Sequence, residues 1–316
     1  MQPSTFALAR YRFEWQVSTP LRLPDYAGSA LRGAFGHALR QLACMTRQKE
    51  CNGCPLITTC PYPAIFSPLP PPAHSLQNFS AIPVPYIIEA PEGGARTLTA
   101  GDIFAFNVVL VGSALKELPL IILAWRRALA RGIGAGFGSA ELIRVLHCNA
   151  AGETEIHRPE SGAIAGHKPY IPVTPAAKNS SEVSRTTLHI YTPLRLQHQG
   201  CAIRPDKLDA RTLLMAMIRR ANLLAEFHGA GALTRDFSPL YHAAAEISDD
   251  KQLTWQDWAR YSSRQQQKMT LGGVMGTWSL EGKLAAFMPY LELGQWLHVG
   301  KEASFGLGGY RLITAT

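Results

Sequence analysis

Apolar residues recur at close to two-residue spacing where the chain begins. Phe6, Leu8, Tyr11, Phe13, Trp15 and Val17 predict a strand over Thr5–Val17 with one face turned to a core. The period then lengthens. Leu31, Phe35, Ala38, Leu39 and Leu42 share one helical face and predict a helix over Gly28–Cys44. A Cys- and Pro-rich excursion runs to about Ala73, and its Leu69–Pro72 stretch reads as extended loop. Strands are predicted near Val84–Glu89 and Ile103–Val111, then a helix over about Ala114–Arg131. A glycine loop, Gly132–Gly138, leads into a strand at Glu141–His147. Strand, helix, strand, strand, helix, strand is the split βαβ order of a ferredoxin-like domain.

Asn149–Ser184 is rich in Gly, Pro, Ala and Ser without periodicity and reads as a linker or long loop. Beyond it the same order recurs. A strand at Thr186–Leu194 precedes a helix at Ala210–His228 and a second helical piece near Ser238–Glu246. A hairpin of Trp255–Arg264 with Leu271–Leu280 follows, then a short helix at Lys283–Leu291 limited by Pro289. The glycine loop Gly294–Gly309 and a last strand, Tyr310–Ile313, close the chain. The expected fold class is α+β: tandem ferredoxin-like, RRM-like domains over residues 1–148 and 185–316, joined by 149–184. The first carries a Cys/Pro-rich insertion at about 44–73.

A formal net charge of +8 favours polyanionic partners, because neutralised phosphates release condensed counterions. Residues 1–150 hold 13 basic and 8 acidic side chains and the remainder 18 and 15, so there is no polybasic tail and a binding surface must be assembled by folding. No apolar run approaches the roughly 20 residues that cross a bilayer, and the N-terminus has no signal-peptide pattern. A soluble cytoplasmic protein with no membrane partner is expected.

In that compartment six cysteines do not suggest a disulfide framework. Four of them, Cys44, Cys51, Cys54 and Cys60, are spaced to close around one metal, with Cys51-Asn-Gly-Cys54 as the compact turn such sites need. A structural zinc ion is the first expectation and an iron–sulfur cluster the alternative. Cys148 and Cys201 stand apart.

Glycine-dense turns offer backbone N–H groups to anions, and Lys301 adds a cation within the second loop. No Walker-type motif is present, and the dinucleotide fingerprint fails because each loop precedes a strand rather than opening a helix.

The string Leu291–Tyr310, with Gly300, Gly306, Leu307 and Gly308, resembles the C-terminal glycine motif of the RAMP superfamily, and within it the CRISPR repeat-processing endoribonucleases. Leu31–His37, Thr192–Arg195, Trp258–Gln267 and Met269–Gly276 are similar to the same family. The resemblance implies two ferredoxin-like domains and cleavage of precursor CRISPR RNA without a catalytic metal. A ribose 2′-hydroxyl attacks the neighbouring phosphate and leaves a cyclic phosphate and a 5′-hydroxyl. That chemistry needs a base, an acid and positive charge at the phosphate.

His37 is the leading catalytic candidate. It lies opposite the apolar face of its helix with Gly33, Gly36 and Arg40, and many relatives place a catalytic histidine on this helix. Tyr26 is the candidate to orient the 2′-hydroxyl and Lys301 to stabilise the phosphorane. His298 is the second histidine candidate, with loop support as its structural alternative. Arg219, Arg220 and His228 are further candidate contacts. Expected RNA contacts are Arg32, Arg40, Arg260, Arg264, Lys268, His298, Gly300, Lys301, Gly306 and Gly308. The expected partners are CRISPR repeat RNA and its processed crRNA, with other effector-complex subunits. Two alternatives stand beside this reading: a non-cleaving RAMP subunit that binds guide RNA, and a metal-stabilised nucleic-acid-binding module.

Overall fold

A computed structural model describes residues 6–71, 81–134, 136–172, 183–229, 231–262 and 267–313, with backbone only at 259–262 and 267–271. The chain forms two units: Met1–Tyr170 with Phe227–Gly229, and Ile171–Glu226 with Ala230–Thr316.

The first unit runs β1 (Leu8–Val17), β2 (Leu21–Leu23), α1 (Gly28–Ala43), α2 (Pro61–Phe66), β3 (Tyr86–Glu89), β4 (Arg96–Leu98) and β5 (Ile103–Val111). It continues through α3 (Leu118–Arg131), β6 (Ala140–Asn149) and β7 (Gly152–His157). The main sheet is antiparallel in the order β3-β5-β1-β6-β7, and β2 pairs separately with β4. Without the added β7 this is the ferredoxin-like arrangement.

Register follows the alternation seen in sequence. Phe13 pairs with Phe106 on one side and Val145 on the other, and all three side chains are buried. On that face Trp125 of α3 stacks on Phe35 of α1 at 4.9 Å and meets Phe106 at 4.7 Å. These aromatic contacts fix both helices on the sheet.

The opposite face is polar. Arg10 pairs with Glu89 at 2.9 Å, Arg144 with Glu14 at 2.6 Å, and Arg158 with Glu155 at 2.6 Å. A charge ladder therefore occupies the surface that an open RNA-binding sheet would line with aromatic rings.

Two differences from the sequence expectation have clear causes. The segment after 148 is not all linker. β7 extends the sheet, and Leu8 and Tyr170 exchange backbone hydrogen bonds at 2.8 and 2.7 Å. β7 is an edge strand with Glu153, Thr154 and Glu155 exposed, so it carries no apolar alternation. Pro119 lies in the first turn of α3, so that helix begins later than expected.

The second unit runs β8 (Arg185–Leu194), β9 (Gln197–His198), β10 (Cys201–Ala202), α4 (Ala210–His228) and α5 (Ser238–Ala244). Then come β11 (Ser248–Ser262), β12 (Gln267–Glu281), α6 (Met288–Leu297) and β13 (Tyr310–Ile313). The sheet order β11-β12-β8-β13 repeats the ferredoxin-like pattern, and all its pairings are antiparallel. Pro289 sits in the first turn of α6, where its missing N–H costs nothing. It opens that helix rather than limiting one at 283–291. Beneath the sheet Tyr310 is fully buried and donates its hydroxyl to the Leu291 carbonyl at 2.6 Å.

β11 and β12 are 15 residues each, longer than expected. β8 pairs with β12 only from Val274 to Glu281. The rest of the hairpin, Gln256–Ser262 against Gln267–Gly273, continues as a two-stranded arm. Among the described residues, no helix is long and apolar enough to cross a membrane.

Candidate nucleic-acid interface

In the second unit α6 ends at Leu297 and the chain turns through the glycine loop. His298, Gly300, Glu302, Gly306 and Gly308 all take positive φ, between 54° and 95°. His298 is only 1 % exposed, and its Nδ1 donates to the carbonyls of Gly306 (3.0 Å) and Leu307 (3.2 Å). It pins the loop from inside, which removes it from the expected RNA contacts and from the catalytic candidates.

The loop amides are also engaged. Lys301 N–H donates to Arg195 O at 2.9 Å, Gly308 N–H to Pro193 O at 3.0 Å, and Gly309 N–H to Thr192 Oγ1 at 2.7 Å. Thr192 in turn donates to Gly306 O at 2.8 Å. The Thr192–Arg195 motif is thus the other half of the loop. Gly306 and Gly308 are buried and Gly300 is half-buried. Their role is close backbone approach, and the open anion nest expected at these amides is replaced by internal hydrogen bonds. Lys301 projects into solvent. Arg195 is half-buried and donates to Gly272 O at 3.0 Å.

Arg220 is interior. Its Nε donates to Leu297 O at 2.8 Å at the C-terminus of α6, and burial pushes its pKa down to about 10. His228 is buried as well. Neither stands on a solvent-facing basic surface.

In the first unit α1 buries Leu31, Phe35, Ala38 and Leu39, as its spacing predicts. His37 is exposed. Gly33, one turn earlier, is exposed, with nothing within 4 Å of where a Cβ would stand. Gln41, one turn later, accepts a hydrogen bond from Arg131 of α3. Gly33, His37 and Gln41 therefore form an open strip that ends beside an arginine.

Gly36 is not part of that strip. The Phe66 ring of α2 lies over it, and its Cζ fills the space that a Cβ on residue 36 would need. Arg32 sits over the same ring at 4.4 Å. Arg40 donates to Gln48 O and Lys49 O at 2.5 and 2.6 Å, and so braces the Cys-rich segment. Both arginines are half-buried and occupied within the first unit. Tyr26 is half-buried before the start of α1. Ten helical steps separate Ala27 from His37, about 15 Å along the axis. Tyr26 thus precedes the first turn of α1, whereas His37 lies in its third turn.

Sequence reasoning passed over Phe137. It is 77 % exposed at the tip of Gly132–Gly138, with φ 52°. A lone aromatic between glycines was the available signal. Arg127 and Arg131, four apart on α3 and both exposed, were also legible from helical spacing.

Cys44, Cys51, Cys54 and Cys60 line one cavity of about 150 Å3 in the first unit. All four are free thiols and half-buried. Among the described residues, no three His, Cys, Asp or Glu side chains stand close enough to hold a metal as placed. Of the expected hairpin contacts, Arg264 lies outside the described residues. Arg260 pairs with Met269 and Lys268 with Tyr261 in the arm, where only the backbone is described.

Residues 6–169 match the domain model AF_1859_N, an N-terminal domain, and residues 188–310 match CRISPR-associated endoribonuclease Cas6. The chain is 22 % identical to an uncharacterized protein of Archaeoglobus fulgidus, over 98 % of this chain and 99 % of that one. A Cas6 product complex aligns with a TM-score of 0.57 at 14 % identity, covering 97 % of this chain and 100 % of that chain. Thermus thermophilus Cas6 aligns at 0.55 and 12 % identity, covering 98 % and 100 %. A partial Cas6-RT-Cas1–Cas2 complex aligns at 0.60 and 16 %, covering 99 % of this chain and 47 % of that one. At these identities the structural likeness speaks for the fold.

Proposed function

The chain belongs to the RAMP-type CRISPR repeat-processing proteins, matching one domain model across its first half and the Cas6 endoribonuclease model across most of its second, and from that membership we infer that it is an endoribonuclease acting on CRISPR repeat RNA. The reaction assigned is transesterification. The 2′-oxygen beside the cut forms a bond to phosphorus, and the bond from phosphorus to the 5′-oxygen breaks. One proton leaves the 2′-hydroxyl and one reaches the departing 5′-oxygen, so side-chain acid–base chemistry balances the step without a catalytic metal.

The observation that carries this reading is the open strip of α1. His37 is exposed between Gly33, which lets a backbone approach, and Gln41, which holds Arg131. His37 is assigned the proton transfer, since an imidazole exchanges protons near neutral pH. Lys301 is the exposed cation of the glycine loop in the second unit and is assigned to a phosphate of the bound RNA. The hairpin arm, bearing Arg260 and Lys268, is assigned to the backbone of the RNA stem, which is recognised mainly by shape.

The test mixes purified protein with repeat RNA in EDTA. Cleavage at one position, with a 2′,3′-cyclic phosphate on the upstream product, is expected. His37→Ala should bind RNA as before and lose activity by about 10²–10⁴-fold, the usual contribution of general acid–base catalysis. Cleavage by this variant at the unaltered rate would remove His37 from the mechanism. Binding by the wild type without any product would instead favour a non-cleaving subunit that holds guide RNA for an effector complex.

A further inference from the structure

Four thiols from a stretch of 17 residues, Cys44 to Cys60, converge on one cavity that the cleavage chemistry does not use. Cys44 caps α1, its N–H donating to Arg40 O at 2.8 Å. Cys51 and Cys54 close a tight turn, Cys54 N–H to Cys51 O at 3.1 Å, with Gly53 at φ +75° supplying the bend. Cys60 ends a second turn through Leu56 O at 2.9 Å and stands directly before α2. The Thr46 hydroxyl lies 4.0 Å from Cys44 Sγ and 3.4 Å from Cys54 Sγ, between two of the thiols.

We propose that Cys44, Cys51, Cys54 and Cys60 bind one zinc ion that staples α2 onto α1. A tetrahedral shell with Zn–S bonds of about 2.3 Å places sulfurs about 3.8 Å apart. The thiols share the cavity, but no three of them stand close enough to hold the ion as placed, so binding draws them inward by side-chain rotation and adjustment of the turns. The segment suits that adjustment, because only Cys44 is anchored on a long helix. Four thiolates around a divalent ion leave a net negative site. The Arg40 guanidinium, which already holds the carbonyls of Gln48 and Lys49 and whose charge acts on Cys44 and Cys51, provides the compensating cation.

The mechanical consequence follows from where the ligands sit. Cys44 ends α1 and Cys60 begins α2, so one ion joins the two helices. α2 then carries Phe66 over Gly36 and beneath Arg32. The ion fixes the covering of the helix at the residue before His37.

The full chain, purified under reducing conditions and given equimolar zinc chloride, should retain one zinc per chain, measured by elemental analysis and by release with a thiol-blocking reagent. Cobalt(II) in its place should show intense visible bands and near-ultraviolet thiolate charge transfer, as a tetrahedral four-sulfur site requires. Cys51→Ser with Cys54→Ser should abolish stable zinc retention and speed proteolysis between α1 and α2. Cys148→Ser with Cys201→Ser should retain zinc as the wild type does. The proposal is overturned if the wild type retains no zinc, if the Cys51/Cys54 variant binds it equally well, or if cobalt gives a weak octahedral spectrum. Iron with absorption near about 400 nm would overturn it in favour of a cluster. The cobalt spectrum is read on the wild type, so it decides the matter even where the serine variant fails to fold.

Discussion

Gly308→Ala places a methyl group where no rotamer can relieve it. Gly308 has φ +71°, and a Cβ there would stand 1.8 Å from the Val299 carbonyl oxygen and 2.8 Å from its carbon. Positive φ alone costs an L-residue about 1–2 kcal/mol. The overlap is with backbone, so the two arms of the loop must part. Parting them breaks at least one of two hydrogen bonds, Val299 N–H to Gly308 O or Gly308 N–H to Pro193 O, both 3.0 Å. Each contributes about 1 kcal/mol, and more when the group left behind is buried. The sum is about 2–4 kcal/mol against the second unit. At an ordinary urea dependence of about 2 kcal/mol/M, the transition should move down by about 1–2 M. Urea titration followed by circular dichroism and tryptophan fluorescence reads this directly. Gly33→Ala is the control, because it lies inside α1 with nothing within 4 Å. It should raise stability by about 0.5–1 kcal/mol through helix propensity. A Gly308→Ala transition coincident with that of the wild type would refute the account of the loop as a packed backbone clasp.

Phe137→Ala should leave the urea transition unchanged and weaken repeat RNA binding by about 1–3 kcal/mol, the usual contribution of a stacked base, read by filter binding; unchanged affinity would exclude stacking at this tip. His147 is buried beside His167 and Tyr11, and burial, with a smaller contribution from His167, holds its pKa below the ordinary imidazole range. The unfolded chain then takes up the proton first. The stability due to neutral His147 is fully present above about pH 6.5 and is lost as pH falls through the folded value. Urea midpoints between pH 7.5 and 5 should therefore fall less steeply for His147→Gln than for the wild type, and equal slopes would show that this histidine does not set the acid limb.

Much of the architecture was legible locally. The change from two-residue to 3.6-residue apolar spacing and back placed β1, α1, α3, β8 and α4 close to where they lie, because each buries one regular face. The recurrence of that order announced two similar units. Elements without a buried face left no such trace. β7 is a polar edge strand, and α2 is six residues with two prolines. Missing α2 had a consequence at the site, since helical angle alone put Gly36 on an open face that Phe66 in fact covers.

The glycine loop divides along the same line. By itself the sequence determined that the chain must turn sharply at Gly300, Gly306 and Gly308, that a lysine stands within the turn, and that four cysteines fall within one short segment. Whether those loop residues face solvent or protein was decided by tertiary structure. His298 is interior because the end of β8, more than a hundred positions earlier, takes up the loop amides at Pro193 and Arg195 and closes the loop around the imidazole. Arg220 and Arg40 became internal braces for a similar reason, each finding backbone carbonyls on a distant or looping segment. Charge and spacing are properties of the chain, whereas burial and hydrogen-bond partners arise only when segments remote in sequence are brought within about 3 Å of each other.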